Sequence, residues 1–145
     1  MWQTEATIDI GAPPTKVFEY LADLRSHKEW SSGVAEIVQI KGEAITVGAE
    51  FEAREVVPMK FKSFSRITRL EAPLHIEWKA WDGRMFEVDW AFDIEPLGAS
   101  TRLVQRAQFR PENAVARVLL AALRKRQIPK ENARSLQRLK QRLEA

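Results

Sequence analysis

The fold of this chain is decided by one stretch near its C-terminus, Glu112–Glu144, which has the sequence ENAVARVLLAALRKRQIPKENARSLQRLKQRLE. Apolar residues recur there at spacings of three and four, first from Ala114 to Leu123 and again at Leu136 and its neighbours. This periodicity predicts helix in two parts, the first apolar nearly all round and therefore covered on several sides. Pro129 separates the parts, and because it lacks an amide hydrogen we expect a kink or a break there.

The sequence before this helix has the pattern of a sheet. Strict alternation of apolar and polar residues in Trp2–Ile10 predicts a half-buried strand, and two short helices are expected after it, the second near Arg25–Trp30. From there to Arg110 the period is two, and the short loops indicate hairpins and therefore an antiparallel sheet. The six further strands are predicted at Val34–Ile40, Glu50–Val57, Met59–Leu70 (after a turn at Pro58), Leu74–Trp81, Arg84–Glu95 and Thr101–Arg110.

The residues that face the interior follow from cross-strand pairing, because partners share a face of the sheet. A four-residue loop at 97–100 pairs Glu87 with Arg110, and a three-residue loop at 82–84 pairs Lys79 with Glu87 and Trp78 with Val88. On the fourth strand Phe64 competes for the interior, but that choice would also bury Lys62 and Arg66. The predicted inward set is Phe51, Ala53, Glu55, Val57, Phe61, Ser63, Ser65, Ile67, Trp78, Trp90, Phe92, Leu103, Gln105, Ala107 and Phe109.

Length and composition bound the class of protein. With 145 residues, of which 45% are hydrophobic and 30% charged, we expect one domain over residues 1–145 with a sizeable core. The sequence has no cysteine, which excludes disulfides and thiolate zinc sites. No apolar run approaches the roughly 20 residues needed to cross a bilayer, and no signal-peptide pattern is visible. We therefore expect a cytoplasmic protein.

The net charge of +3 conceals an uneven distribution. From Glu112 onward there are nine lysines and arginines against three glutamates, whereas residues 1–111 have fourteen basic and seventeen acidic side chains. A solvated helix face explains the basic excess most simply. An interaction module that uses the basic helix against a membrane or a protein is a third hypothesis about function. No nucleic-acid partner is expected.

Several short motifs occur in a characteristic order along the chain. They are Ala12-Pro13-Pro14-x-x-Val17-Phe18 with Asp23 after it, Trp30 before the second strand, Val47-Gly48-Ala49, Gly98-Ala99-Ser100-Thr101-Arg102, and Glu131-Asn132 followed by the leucines that lead to Glu144. Their order and spacing resemble the START-like, or SRPBCC, superfamily, in particular its polyketide cyclase/dehydrase and lipid-transport branch. The resemblance covers nearly the whole chain.

This resemblance implies an α+β fold of the helix-grip, Bet v 1-like type. In such a fold a seven-stranded antiparallel sheet curls around a long C-terminal helix, and a cavity lies between them. Members of the superfamily bind lipids, sterols, quinones, polyketides or plant hormones in that cavity, and only some are enzymes. The fold by itself does not choose among these activities.

Residues suited to catalysis are few. His27, on the second short helix near the expected cavity mouth, is a candidate acid/base, although a surface imidazole is the simpler interpretation. Glu55 is the other candidate, because an apolar pocket would raise the pKa of its carboxyl; a structural ion pair with a helix arginine is the alternative. His75 is predicted to face outward. The sequence offers no metal constellation and no phosphate-binding loop, so no metal and no cofactor are expected.

The predicted interior combines aromatic walls with a few polar groups, as small-molecule pockets do. Buried polar groups need partners, which a ligand or water would provide; a filled core is the alternative. We predict binding of a hydrophobic or amphipathic small molecule such as a lipid, quinone or polyketide, and an aromatase/cyclase or dehydratase-type enzyme is the second hypothesis. The candidate ligand-binding residues are Phe51, Glu55, Phe61, Ser63, Ser65, Trp78, Trp90, Phe92, Gln105 and Phe109.

Overall fold

The computed structural model describes residues 1–56 and 59–145, so the predicted turn at Pro58 and the inward position of Val57 lie outside the described residues. The strands are β1 (Trp2–Ile10), β2 (Val34–Lys41), β3 (Glu50–Glu55), β4 (Phe61–Glu71), β5 (His75–Trp81), β6 (Phe86–Leu97) and β7 (Ser100–Pro111). The helices are α1 (Pro14–Ala22), α2 (His27–Trp30), α3 (Ala114–Leu119) and α4 (Lys125–Glu144), with a 3-10 turn at Leu24–Ser26 and a π turn at Leu120–Arg124.

The seven strands form one antiparallel sheet in the order β1-β7-β6-β5-β4-β3-β2. Consecutive strands are neighbours from β2 to β7, and β1 adds to the far side of β7, so that the first strand lies beside the last. The C-terminal helix, Ala114–Glu144, packs on one face of this sheet together with α1 and α2. The predicted helix-grip architecture, with two short helices after the first strand, is confirmed.

Two hairpins show how far the predicted register holds. Glu87 pairs with Arg110 between β6 and β7, as predicted. Between β5 and β6, however, Lys79 pairs with Asp89 and Trp78 with Trp90, two residues away from the prediction. The loop is longer than expected because the Asp82 carboxylate accepts hydrogen bonds from three backbone N–H groups within it. The donors are Arg84, Met85 and Phe86, at 2.8, 2.8 and 3.3 Å.

The C-terminal helix is continuous through Pro129, so the predicted break is absent and the distortion lies one turn earlier. At Leu120–Arg124 the helix widens into a π turn, in which the Lys125 N–H donates to the Leu120 carbonyl. A proline removes one intrahelical bond and its ring crowds the carbonyl four residues before it, here that of Lys125. The π turn is the place where the helix departs from regular α geometry before this proline.

The first part of the C-terminal helix is covered by the sheet on one side and exposed on the other. Val115, Val118 and Leu123 are exposed, by 71%, 68% and 44%, whereas Ala116 and Leu120 are buried against the sheet. Asn113 caps this helix and also donates to the Arg84 carbonyl, and these bonds fix the rotation of the first turn. Only one side of this segment meets the sheet, so the prediction that it is covered on several sides is wrong.

The space between the sheet and the helices has two ends that differ in packing. At one of them α1, α2 and the last turns of α4 pack on the sheet and bury a continuous apolar cluster; we call this the packed end. Its members include Ile10, Val17, Leu21, Leu24, Trp30, Phe51, Trp78, Phe92, Leu136, Leu139 and Leu143. At the other end, the open end, the cluster under the helix is small. It consists of Ala107, Phe109, Leu120 and Ile128, with Trp2, Phe86, Val88 and Trp90 packed beside it.

Hydrogen bonds lock the packed end to the far end of the helix. The Gly11 N–H donates to Glu144 Oε2 at 2.7 Å, and Lys140 Nζ donates to the Asp9 carbonyl at 2.8 Å. On the other flank the Ser32 N–H donates to Ser135 Oγ at 2.9 Å. The last three turns of α4 are therefore held both to the end of β1 and to the loop before β2.

Candidate functional site

A cavity of about 710 Å³ occupies the open end, between the sheet and the beginning of the C-terminal helix. This volume lies within the usual range of small-molecule sites. Its walls are largely apolar and rich in aromatic rings. The apolar and aromatic residues that line it are Met59, Phe61, Ala80, Trp81, Met85, Phe86, Val88, Trp90, Phe109, Leu119 and Ile128.

Aromatic stacking on neighbouring strands gives the cavity a rigid wall. The Trp90 ring lies edge-on to Phe109, with centroids 5.8 Å apart, and is stacked on Trp78 at 6.5 Å. Trp78 in turn stacks on Phe92 at 5.3 Å, inside the packed end. Trp90 therefore stands at the border between the two ends, with one neighbour in the core and the other in the cavity wall.

A carboxyl group lines the cavity on β3. Glu55 is partly buried and bonds to Ser63, which lies inward on the neighbouring strand β4. Burial raises the pKa of the Glu55 carboxyl, and the nearby charges of Asp82 and Glu131 raise it further, while the Ser63 hydrogen bond and the charge of Arg124 act in the opposite direction. Glu55 thus favours the neutral, proton-carrying form more than a carboxyl in water does.

A buried ion pair lies across the cavity on the C-terminal helix. Arg124 binds both carboxylate oxygens of Glu131, at 2.7 and 3.1 Å, and also donates to Gln127 at 2.7 Å. The Arg124 side chain is almost fully buried, so its charge is neutralised inside the protein rather than in solvent. The predicted alternative, an ion pair between Glu55 and a helix arginine, is not formed, because Arg124 pairs with Glu131.

Two buried amide atoms have no hydrogen-bond partner among the described residues. Asn132 Nδ2 belongs to a buried side chain that lines the cavity one residue after Glu131. Gln105 Oε1 lies on β7 opposite Phe92, outside the cavity lining. Each of these atoms has less than 1 Å² of accessible surface, so in this conformation neither meets a molecule in the cavity, and both are a cost to folding.

The predicted ligand-binding residues divide between the two ends. Glu55, Phe61, Ser63, Trp90 and Phe109 line the cavity. The other five lie in the packed interior: Phe51, Ser65, Trp78, Phe92 and Gln105 are all buried and stand outside the lining. The structure thus brings half of the set together, and contact with a ligand stays a prediction for each member.

Sequence parity could have found part of the lining that was missed. Phe86 and Val88 share the inward face with Trp90, so the pattern on β6 already contained them. Ala80 likewise shares the inward face with Trp78, whereas Lys62 and Trp81 lie on the same strands with the opposite parity. The other missed residues lie on loops or on the helix, where no two-residue period marks the side that faces the cavity. They are Ser31, Ser32, Gly33, Met59, Lys60, Asp82, Arg84, Met85, Leu119, Arg124, Ile128, Glu131 and Asn132.

His27 lies in the packed end and outside the cavity lining. Its ring is buried between Trp30 and Trp78, each 4.8 Å away by centroid, and its Nε2–H donates to the Leu21 carbonyl at 3.3 Å. Burial lowers the pKa of His27 to about 4, so the imidazole is neutral near pH 7. The interpretation of His27 as a surface imidazole is therefore wrong, and the ring is a core residue.

The outer face of the sheet holds paired charges. His75 lies there as predicted, with Nδ1 2.7 Å from Asp93 and Nε2 2.8 Å from Glu77. Arg110 joins Asp89 at 2.6 Å and Glu87 at 3.2 Å. Within residues 1–56 and 59–145, no three His, Asp or Glu side chains are grouped as metal ligands would be. No helix in the same ranges is long and apolar enough to span a bilayer.

The sequence matches one known family over almost its full length. The family described as polyketide cyclase/dehydrase and lipid transport matches residues 1–144. No curated protein matches the chain closely enough to count as a relative.

Solved structures with the same architecture are numerous and distant in sequence. A Thermus thermophilus protein is 18% identical with a TM-score of 0.81, covering 98% of this chain and 97% of its own. A START superfamily protein from Mycobacterium smegmatis is 13% identical with a TM-score of 0.75, covering 98% and 97%. The Zhui aromatase/cyclase from a Streptomyces species is 18% identical with a TM-score of 0.73, covering 94% and 93%. At these identities the likeness concerns the fold alone.

Proposed function

Since this chain belongs to the polyketide cyclase/dehydrase and lipid-transport family, we propose that it binds a hydrophobic or amphipathic small molecule at the open end. The observation that carries the proposal is the cavity of about 710 Å³ with aromatic walls. A ligand that hides about 400 Å² of apolar surface gains roughly 10 kcal/mol, and lost rigid-body freedom removes about half or more of it. Affinity in the micromolar range therefore needs no further chemistry.

The polar groups of the cavity favour a ligand whose oxygen atoms are uncharged. Arg124 is already neutralised by Glu131, and Glu55 has no ion-pair partner among the described residues. A carboxylate of the ligand would meet Glu55 without gaining Arg124, whereas a carbonyl oxygen can accept a hydrogen bond from a protonated Glu55. Quinone-like and polyketide-like compounds fit this pattern better than fatty acids do.

Fluorescent probes test the binding proposal directly. N-phenylnaphthylamine, a neutral aromatic amine, should bind the purified protein with saturation at micromolar concentration and should quench Trp90. Val88→Trp would place a large ring in the cavity wall and should abolish binding, while Val38→Trp, at an exposed position of β2, should leave it unchanged. Failure of the wild-type protein to bind any apolar probe would overturn the proposal.

The same probe distinguishes the charge preference. Anilinonaphthalene sulfonate has the same aromatic skeleton with an added anionic group, and it should bind more weakly than the neutral amine. Glu55→Gln removes the carboxyl and should narrow the difference between the two probes. Equal or tighter binding of the sulfonate by the wild-type protein would remove the preference for uncharged ligands and leave the binding proposal standing.

A cyclase or dehydratase-type enzyme is the second candidate, and the position of Glu55 favours it. A carboxyl with a raised pKa in an apolar cavity is suited to general acid/base chemistry. His27 is not part of this cavity and is not assigned a role in it. An enzyme should lose turnover in Glu55→Gln while retaining ligand affinity; a binding protein should show no turnover with either form.

A further inference from the structure

An apolar stripe lies on the outside of the C-terminal helix next to the cavity. Val115, Val118, Leu119, Ala122 and Leu123 follow each other at spacings of three and four, which places them on one side of the helix. Leu119 is partly buried and lines the cavity, whereas the other four are exposed. We call these five residues the outer stripe. Several aliphatic side chains exposed together on one helix face are typical of an interaction surface.

The orientation of the outer stripe is fixed by hydrogen bonds. Asn113 caps the helix, its Oδ1 accepting from the Ala116 N–H at 2.8 Å, while its Nδ2 donates to the Arg84 carbonyl at 2.7 Å. One residue earlier, the Glu112 N–H donates to the Met85 carbonyl at 2.8 Å. These bonds attach the first helical turn to the β5–β6 loop. The helix cannot rotate to bury the stripe without breaking them.

Basic side chains flank the outer stripe. Lys125 and Arg126 are exposed at the C-terminal end of the stripe, and the sequence from residue 113 to residue 130 has no acidic residue. The opposite rim of the cavity adds Met59, exposed by 69%, and the exposed Lys60. Aliphatic and basic side chains thus surround the cavity opening from two elements. This combination fits a surface that is apolar beneath a layer of negative charge.

We propose that the outer stripe and its flanking basic residues dock the protein on the surface of an anionic lipid bilayer. The aliphatic side chains would enter the headgroup region while Lys125 and Arg126 contact lipid phosphates. Docking in this orientation turns the cavity opening toward the bilayer, where apolar molecules partition. The proposal rests on the outer surface, so it stands apart from the identity of the cavity's ligand.

Vesicle sedimentation tests this docking. The wild-type protein should sediment with vesicles of mixed phosphatidylcholine and phosphatidylglycerol, less with phosphatidylcholine alone, and less again as salt increases. Val115→Asp combined with Val118→Asp should reduce binding about tenfold or more. Lys125→Gln and Arg126→Gln should each reduce it about fivefold. All four substitutions lie at exposed positions, and circular dichroism verifies that each variant is folded.

Matched variants on the far side of the sheet provide the control. Val38 and Ile40 on β2 are also exposed aliphatic residues, so Val38→Asp combined with Ile40→Asp should leave vesicle binding unchanged. Absence of wild-type binding to the anionic vesicles would overturn the proposal, as would equal loss in the β2 control. Sedimentation velocity distinguishes one other outcome: a wild-type dimer that Val118→Asp dissociates, with no vesicle binding, would make the stripe a chain–chain interface instead.

Discussion

The two ends of the interior are built on the same sheet and covered by the same helix, yet one is filled and the other is hollow. At the packed end α1, α2 and the 3-10 turn add Val17, Leu21, Leu24 and Trp30 to the leucines of α4. At the open end the C-terminal helix is the only helix that covers the sheet within residues 1–56 and 59–145, and its inward residues there include Ala116. The comparison teaches that the cavity arises where a second set of covering side chains is missing, because protein interiors otherwise pack closely.

The largest expected effect tests this difference with matched truncations. Leu139→Ala at the packed end removes a fully buried side chain and should lower the free energy of unfolding by about 3–5 kcal/mol. Leu119→Ala at the open end should cost less than about 1 kcal/mol, because its side chain already borders the cavity and solvent. Urea denaturation measures both. Similar losses at the two positions would show that the open end is packed in solution.

Acid should destabilise the protein through His27, which lies at the packed end. Its pKa falls from 6.5 in the unfolded chain to about 4 in the folded one, so the unfolded chain binds more protons between these values. The stability that neutral His27 provides is complete above pH 6.5 and is lost as the pH falls toward 4, by about 3 kcal/mol in total.

Urea denaturation at several pH values isolates this contribution. His27→Gln removes the titrating group while keeping a side-chain donor for the Leu21 carbonyl, so its stability should change less than that of the wild type between pH 6.5 and pH 4. Carboxylates titrate in both proteins and cancel in the difference. His75→Gln, on the outer face, is the comparison variant; parallel curves for wild type and His27→Gln would contradict the assignment.

The smallest effects concern the basic residues of the open end, which are not equivalent. Arg124→Gln leaves Glu131 largely buried without its partner and should lower stability by about 1–3 kcal/mol. Lys125→Gln with Arg126→Gln changes exposed side chains only, and the expected change is below about 0.5 kcal/mol. Thermal unfolding separates the two cases. Equal, negligible shifts would mean that Arg124 is solvated like its neighbours.

Much of the sheet could be predicted from the sequence, because an error of two residues in the strand register leaves each side chain on its predicted face. The β5–β6 register was displaced by two residues, which is an even number, so Trp78 and Trp90 still faced inward as predicted. The displacement arises because the Asp82 carboxylate accepts hydrogen bonds from backbone N–H groups of the loop, and the sequence pattern of the strands does not reveal these bonds.

The candidate site was less predictable, because the periodicity of a strand or helix shows which residues share a face but not which other element packs on that face. On the C-terminal helix the apolar residues around Val118 had the spacing of a core face, but the Asn113 cap turned them outward. Likewise, Phe51 and Phe92 were inward as predicted, and only the position of α1 and α2 decided that they are core rather than cavity.

The placement of β1 beside β7 determines when the chain can complete its fold during synthesis. Thr4 pairs with Ala107, and the Gly11 N–H donates a hydrogen bond to Glu144. The partners of the first strand are therefore synthesised about a hundred residues after it. Contacts so distant along the chain are slow to form, because a long loop must close before they contribute. On the ribosome, β2 to β6 can pair as successive hairpins, while the N-terminal strand stays unpaired until the last part of the chain emerges.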